Sequence, residues 1–358
     1  MDNKINQKNK AIVWDYWQKM NHAQPDQVAD VIRAAVHKDI NWNGPHPINH
    51  LEGVDALIKG FWQPLLHSFP DLKRNTDIFM GGMSGGDEWV TGLGYLTGTF
   101  VQDWLGIPAT GDKTNIKFGQ FYAMRDGKIA EGYVVYDLLE VMRQAGFQVL
   151  PPARGGEGGK VPGPLAGDGI LLTEQDELET RKTGQLVDAM GKGLERYVRS
   201  RDGDDMRSME QWHYWDPQMH WYGPSGIGAC LSLEEFADFH QRTWLHAFGD
   251  RTHYDPGKGR MIGLGEDTLA EGLYSSLGIW DVPFSVNHGD FRDEPATNKL
   301  FTIRDFDWYR REGDRIIENW CPIDIVDIFM QMGVDLFDRM RRQAEDRKHG
   351  KHWYNPGS

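Results

Sequence analysis

Apolar residues recur at helical spacing over Ala11–Met20 and Gln27–His37, with Pro25 placed to open the second helix. The run INWNGP, Ile40–Pro45, reads as a short strand ending in turn chemistry. Gly53–Phe69 predicts a third helix whose stripe is Val54, Leu57, Ile58, Phe61, Leu65 and Leu66. Strand-like stretches follow near Thr76–Met83, Trp89–Phe100, Asn115–Arg125 and Lys128–Tyr136, and a helix over about Leu138–Ala145 closes the series. Helices followed by a run of adjacent strands predict an α+β unit with a largely antiparallel sheet.

The pattern then stops. Gly and Pro dominate Pro151–Gly169, so this stretch predicts a linker or extended strap without a helix or a strand ladder. Beyond it the first order returns. Helical stretches near Gln175–Ser200 and Asp205–Trp212 precede Met219–Pro224, and a third helix covers Leu233–Phe248. Strands are expected near Thr252–Leu264, Asp267–Trp280, Lys299–Arg310 and Arg315–Cys321, followed by a helix of about Ile323–Arg342. The expected division is a first domain over 1–150, a linker over 151–171, a second domain over 172–345 and a polar tail over 346–358.

Residue identities repeat along with the pattern. KIAEGYVVYDLLEVMRQAG from Lys128 aligns without a gap on RIIENWCPIDIVDIFMQMG from Arg315. Asn41–Pro45 (NWNGP) meets His220–Pro224 (HWYGP), Leu65–Asp71 (LLHSFPD) meets Trp244–Asp250 (WLHAFGD), and PAT recurs at Pro108 and Pro295. Echoes that stay in order imply an internal duplication.

Composition narrows the class. The chain of 358 residues exceeds one ordinary core, and 39% hydrophobic with 12% aromatic content excludes a disordered or fibrous protein. A net charge of −14 argues against nucleic acid or an anionic membrane as main partner. Cys230 and Cys321 are the only cysteines, so neither a disulfide framework nor a thiolate metal cluster is expected. No signal-peptide core and no run of membrane-spanning length appear, so a cytoplasmic location is expected. Fourteen tryptophans suit either large cores or a pocket walled by aromatic faces.

With FPD (Phe69–Asp71), GIPATG (Gly106–Gly111), RDGKI (Arg125–Ile129) and YVVYDLLEVMRQAG, the first half resembles the SnoaL-like polyketide cyclases of the nuclear-transport-factor-two-like superfamily. The second half resembles them more weakly, through FGD, PAT, REGDRI (Arg311–Ile316) and WCPIDIVDIFMQMG. The resemblance implies two tandem cone-shaped α+β barrels, each enclosing a mostly apolar pocket, with an internal pseudo-dimer or a homodimer possible. It also implies cofactor-independent chemistry, with the matching aspartate as acid/base of a ring closure. The family's threonine-histidine element reads Thr99–Phe100 here, so its histidine is missing.

Asp137 and Asp324 are the leading catalytic candidates, each standing between an apolar strand and an apolar helix. Alternation would put Asp137 on the face of Tyr133 and Val135, and Asp324 on that of Trp320 and Pro322. If that face lines the pocket, desolvation raises their pKa and suits them to moving protons near neutral pH. An aspartate before a helix is equally an ordinary N-cap. His67 and His246 hold matching places near the end of the third helix, as second proton carriers or as structural histidines at a helix C-terminus. Trp42, Tyr133, Trp221, Trp320 and His220 are expected to touch substrate or to fill the core. His46 and His50 are four apart, but Pro47 interrupts any helix and no third ligand stands at the right spacing, so no metal is expected. The glycine-rich Gly81–Gly86 lacks the lysine of a phosphate-binding loop.

Together these features predict a cofactor-independent cyclase, isomerase or lyase acting on a hydrophobic, carbonyl-bearing or aromatic small molecule. The alternative is a binding protein that uses the same pockets without turnover.

Overall fold

The computed structural model describes residues 3–158, 160–197, 206–250 and 253–350. The first half opens with α1 (Asn3–His22) and α2 (Val28–Ala35), then β1 (Val36–Asn43) and β2 (His50–Glu52). Next comes one continuous helical stretch of α3 (Val54–Leu57), a π turn (Ile58–Trp62) and α4 (Gln63–Ser68). β3 (Lys73–Ser84), β4 (Asp87–Thr99), β5 (Lys113–Arg125), β6 (Lys128–Tyr136) and α5 (Leu138–Gln144) complete it. The second half has α6 (Glu177–Leu194), β7 (Trp215–Tyr222), β8 (Ala229–Cys230), α7 (Leu233–Glu235), a π turn (Phe236–Gln241) and α8 (Arg242–Phe248). It continues through β9 (Arg260–Ile262), β10 (Leu269–Glu271), β11 (Tyr274–Val286), β12 (Leu300–Glu312), β13 (Arg315–Trp320), α9 (Ile325–Met332) and α10 (Leu336–Lys348).

The sheets share one topology. The first runs β2-β1-β6-β5-β4-β3, and the second runs β8-β7-β13-β12-β11-β10 with β9 also on β11. Each has a single parallel pairing, β1 on β6 and β7 on β13, and the registers correspond: Asn41 lies opposite Glu131 as His220 lies opposite Glu318. The fold is α+β with two tandem units, as the order of elements predicts.

Helices cover one face of each sheet, and the other two faces pack on each other. Phe121 of β5 meets Phe306 and Trp308 of β12 with ring centroids 4.9 and 5.3 Å apart, and Tyr133 meets Trp280 at 5.7 Å. Gly119 is required here, because a Cβ would stand 2.7 Å from Pro322 and 2.9 Å from the Trp308 ring. A buried ion pair, Lys10 with Glu271, spans the halves, and Glu271 also accepts from Asn6 at 3.1 Å and from the Gly81 N–H at 2.8 Å.

The Gly/Pro-rich stretch is a strap along this seam. Its described residues form no helix and no strand ladder, only isolated bridges, Ile170 beside Phe79 and Gly156 opposite Ala229. Asp168 accepts from the Arg310 guanidinium at 2.8 and 3.0 Å, and Trp320 donates to the Pro162 carbonyl at 3.0 Å.

The second half departs from its predicted elements in four places. Gly333, at φ 86°, ends α9, so the single helix expected over Ile323–Arg342 is two. Gly272, at φ 59°, turns the strand expected over Asp267–Trp280 into the β10–β11 hairpin. Of Thr252–Leu264 only β9 is strand, and Thr252 lies outside the described residues. The helix expected over Asp205–Trp212 is two short 3₁₀ turns, Met206–Met209 and Gln211–His213. Residues 198–205 and the end of the polar tail, from residue 351, also lie outside the described residues.

Candidate active site

Between the helices and the sheet of the second half lies a cavity of about 610 Å³, within the usual size of a small-molecule site. Its walls are aromatic: Trp215 and Trp221 from β7, Phe236 and His240 from the π turn, Trp244 from α8 and Phe284 from β11. The mouth is rimmed by exposed residues, among them Lys192, Glu195, Pro256 and Gly265. It opens where the edge strand fails. The first half has the twelve-residue β3 at this edge, whereas the second half has only the three-residue β9 and β10. Leu264, Gly265 and Thr268 between them line the opening.

The floor is polar. Side chains alternate along β12, so Asp305, Asp307 and Tyr309 line the cavity while Phe306 and Trp308 pack into the seam between the sheets. A carboxylate oxygen of each aspartate and the sulfur of Cys321 lie within 4.8 Å of one another. Asn319 of β13 donates to Asp307 Oδ1 at 2.8 Å, and the Cys321 thiol donates to Asp305 Oδ1 at 3.3 Å. Burial holds both carboxyls well above the usual range, and the neighbouring Asp307 adds to the effect at Asp305. Two carboxylates so close, Asp307 buried and Asp305 partly open to the cavity, favour a state in which the pair keeps a proton at neutral pH. His240 is the opposite case: burial lowers its imidazole pKa to about 3, so it is neutral, and its buried Nδ1 has no partner among the described residues. Its ring stacks on Trp221 with centroids 4.1 Å apart.

The first half holds the same frame with other side chains. Phe118 pairs with Tyr136 as Asp305 pairs with Ile323, which sets Phe118, Gln120 and Tyr122 in the places of Asp305, Asp307 and Tyr309. Phe61 stacks on Trp42 at 4.7 Å where His240 stacks on Trp221. The Arg74 guanidinium lies 4.4 Å from the Trp17 ring centroid and 4.3 Å from that of Phe118. Tyr16, Gln120, Tyr122 and Tyr136 around it are buried, so side chains occupy this interior.

Of the residues singled out from sequence, only Trp221 lines the cavity. Asp137 and Asp324 are buried and have raised pKa values, about 6 and about 7, chiefly through burial and then through the charges of Glu140 and Asp327. Their position differs from a pocket-facing one. Asp137 Oδ1 accepts the Glu140 N–H at 3.0 Å, capping α5, and Oδ2 accepts the Ser225 N–H of the other half at 2.8 Å. Asp324 does the same with the Asp327 N–H at 3.2 Å and the His46 N–H at 2.9 Å. The face of Tyr133, Val135 and Trp320 is the seam between the sheets, so the inward face is the one of Val134 and Tyr136.

The remaining candidates also stand elsewhere. His67 and His246 are exposed in the last turns of α4 and α8. Trp42 is in the core of the first half. Tyr133 donates to Glu131 at 3.0 Å, and His220 shares a 3.0 Å hydrogen bond with the Tyr222 hydroxyl. Asp305 and Asp307 were not among those candidates; their signal in the sequence is two acids at strand period in RDFDWY, opposite Phe118 and Gln120 of the repeat.

The fold and its cavity define a class, a tandem pair of α+β units with an aromatic-walled cavity in the second. Residues 13–145 match the family model of the SnoaL-like polyketide cyclases, just over a third of the chain and most of its first half. No curated protein matches the chain. Among solved structures, a SnoaL-like protein from Jannaschia sp. CCS1 is 24% identical over 38% of this chain and 91% of its own, with a TM-score of 0.34. Wild-type IdmH from Streptomyces antibioticus is 18% identical over 39% and 99%, with a TM-score of 0.33. An NTF2-like protein of unknown function from Burkholderia pseudomallei is 17% identical over 38% and 95%, with a TM-score of 0.31. No helix among the described residues is long and apolar enough to cross a membrane.

Proposed function

We propose that the protein is a cofactor-independent acid/base enzyme of the cyclase, isomerase or lyase type, and that its site is the cavity of the second half. The observation that carries this reading is the Asp305/Asp307 pair on the floor of an aromatic-walled cavity. The substrate is a hydrophobic, ring-bearing molecule with a carbonyl group. The ionised carboxylate of the pair takes the proton from the carbon beside the carbonyl, and the C–H electron pair moves onto the carbonyl oxygen as an enolate. The protonated partner donates a hydrogen bond to that oxygen, or returns the proton at carbon when the bond has rearranged. A pair of acids whose environments hold one charged and one neutral supports both roles. Asn319 and Cys321, as donors to Asp307 and Asp305, orient the two carboxyls.

In this reading Asp137 and Asp324 are structural. Each has one oxygen on its own helix and the other on a backbone N–H of the opposite half.

The test is exchange of the protons beside the carbonyl in heavy water, followed by mass spectrometry over a panel of ring ketones such as tetralones. Wild type is expected to exchange at least one of them above the buffer rate, and Asp305→Asn/Asp307→Asn to lose on the order of 10² or more of that rate. Binding without exchange across the panel would instead place the protein with carriers.

A further inference from the structure

Among the described residues, no cationic side chain pairs with the acids on the cavity floor. Neither Asp305 nor Asp307 has a lysine or arginine among the groups that shift its titration, and the donors they do have are neutral: the Asn319 amide, the Cys321 thiol, the Tyr309 hydroxyl beside Asp307 and the Phe306 N–H beside Asp305. Among the described lining residues the one cationic side chain is Lys192, which sits at the rim and is already paired with Asp188 at 2.7 Å. Buried carboxylates are ordinarily paired or coordinated. Here the space above them is bounded by the π systems of Trp215, Trp221, Phe236 and Trp244. Aromatic faces attract cations, most strongly where water is excluded. The His240 nitrogen that has no partner among the described residues adds a neutral group on the same wall.

We infer that the ligand of this cavity is a hydrophobic organic cation: a ring-bearing molecule with a protonated or quaternary amine held between the aromatic wall and the Asp305/Asp307 pair. The inference rests on the cavity being the binding site proposed above, and it narrows the substrate to amine-bearing carbonyl compounds. A bound cation favours loss of the proton that the free pair keeps, so one carboxylate becomes its counter-ion and the other acts as base. The two halves then differ in kind. In the first half the cation over the aromatic rings is the protein's own Arg74, and Phe118 and Gln120 stand where the acids are.

A matched pair of probes tests this with the full chain. 3-Phenylpropylamine is protonated at pH 8, and 3-phenylpropan-1-ol is its neutral isostere; binding of each is read by calorimetry and by quenching of tryptophan fluorescence. The amine is expected to bind at least about tenfold tighter than the alcohol. The preference is expected to shrink as the pH falls from 8 to 5 and the carboxyl pair takes up protons, and to vanish in Asp305→Asn/Asp307→Asn. Equal binding of amine and alcohol overturns the inference and leaves the carbonyl reading standing. An amine preference that survives in the double variant overturns it as well, since the cation would then sit on the acidic surface. If neither probe binds, both the inference and the cavity as binding site fall.

Discussion

Replacing Asp137 separates a helix cap that ties two halves together from a proton carrier. In Asp137→Ala, α5 loses its cap, worth about 1 kcal/mol. The Ser225 N–H, on a residue only 8% exposed, also loses its acceptor, at a cost of about 1–3 kcal/mol. Asp137→Asn keeps one carbonyl oxygen and so retains one of the two bonds, which makes it about 1–2 kcal/mol more stable than Asp137→Ala. Both variants also remove a titration. The folded carboxyl sits at about 6, against about 3.9 for an unfolded aspartate, a gap worth about 3 kcal/mol. Because the folded value is the raised one, the folded state holds more protons between pH 4 and 6. This residue's stabilisation is therefore complete below pH 4 and is lost as the pH rises through about 6. Chemical denaturation followed by tryptophan fluorescence, run in steps from pH 4 to 8, measures both effects. The wild-type curve is expected to fall more steeply with pH than either variant, with alanine below asparagine throughout. Equal stabilities for the two variants, or a wild-type slope unchanged by the asparagine, would mean that Asp137 neither ties the halves together nor titrates on folding.

The same linkage predicts that Asp305→Asn/Asp307→Asn is more stable than wild type at pH 8, by about 2–4 kcal/mol, and no more stable at pH 4. The sign follows because burial lifts the folded carboxyls, Asp307 to about 7, so ionisation on the way to pH 8 costs the folded state; thermal melts at the two pH values check it. At the seam, Gly119→Val drives a side chain into Pro322 and Trp308. It is expected to cost about 1–3 kcal/mol, read as a lowered Tm.

The duplication was legible because whole phrases recur, and with it came the two-unit α+β architecture. The direction of the strands' faces was not. In β6, KIAEGYVVY, seven of the nine residues are buried, because helices cover one face and the second sheet covers the other. Such a strand has no polar side to mark solvent, and an error of one position exchanges the seam for the interior. That is why Asp137 read as pocket-facing beside Tyr133 and Val135. The acids on β12 escaped for a different reason. Comparing the halves for shared residues selects what keeps the frame, such as Asp137 with Asp324 and Trp42 with Trp221. The chemistry of the cavity lies in the differences, Asp305 against Phe118, Asp307 against Gln120 and His240 against Phe61. The broken edge strand that opens the mouth rests on Gly263, Gly265 and Gly272, each at positive φ, in a stretch whose apolar pattern alone reads as strand.

In the proposed division of labour one cone is open and carries the chemistry while the other is filled. A crystal structure of the protein with a bound ring ketone tests this most directly. This division predicts ligand density in the second-half cavity, with the carbonyl or the carbon beside it within hydrogen-bond reach, about 2.6–3.2 Å, of an Asp305 or Asp307 oxygen, and none inside the first half. Density in the first half beneath Arg74, or against Asp137 or Asp324 with their backbone bonds broken, would contradict it.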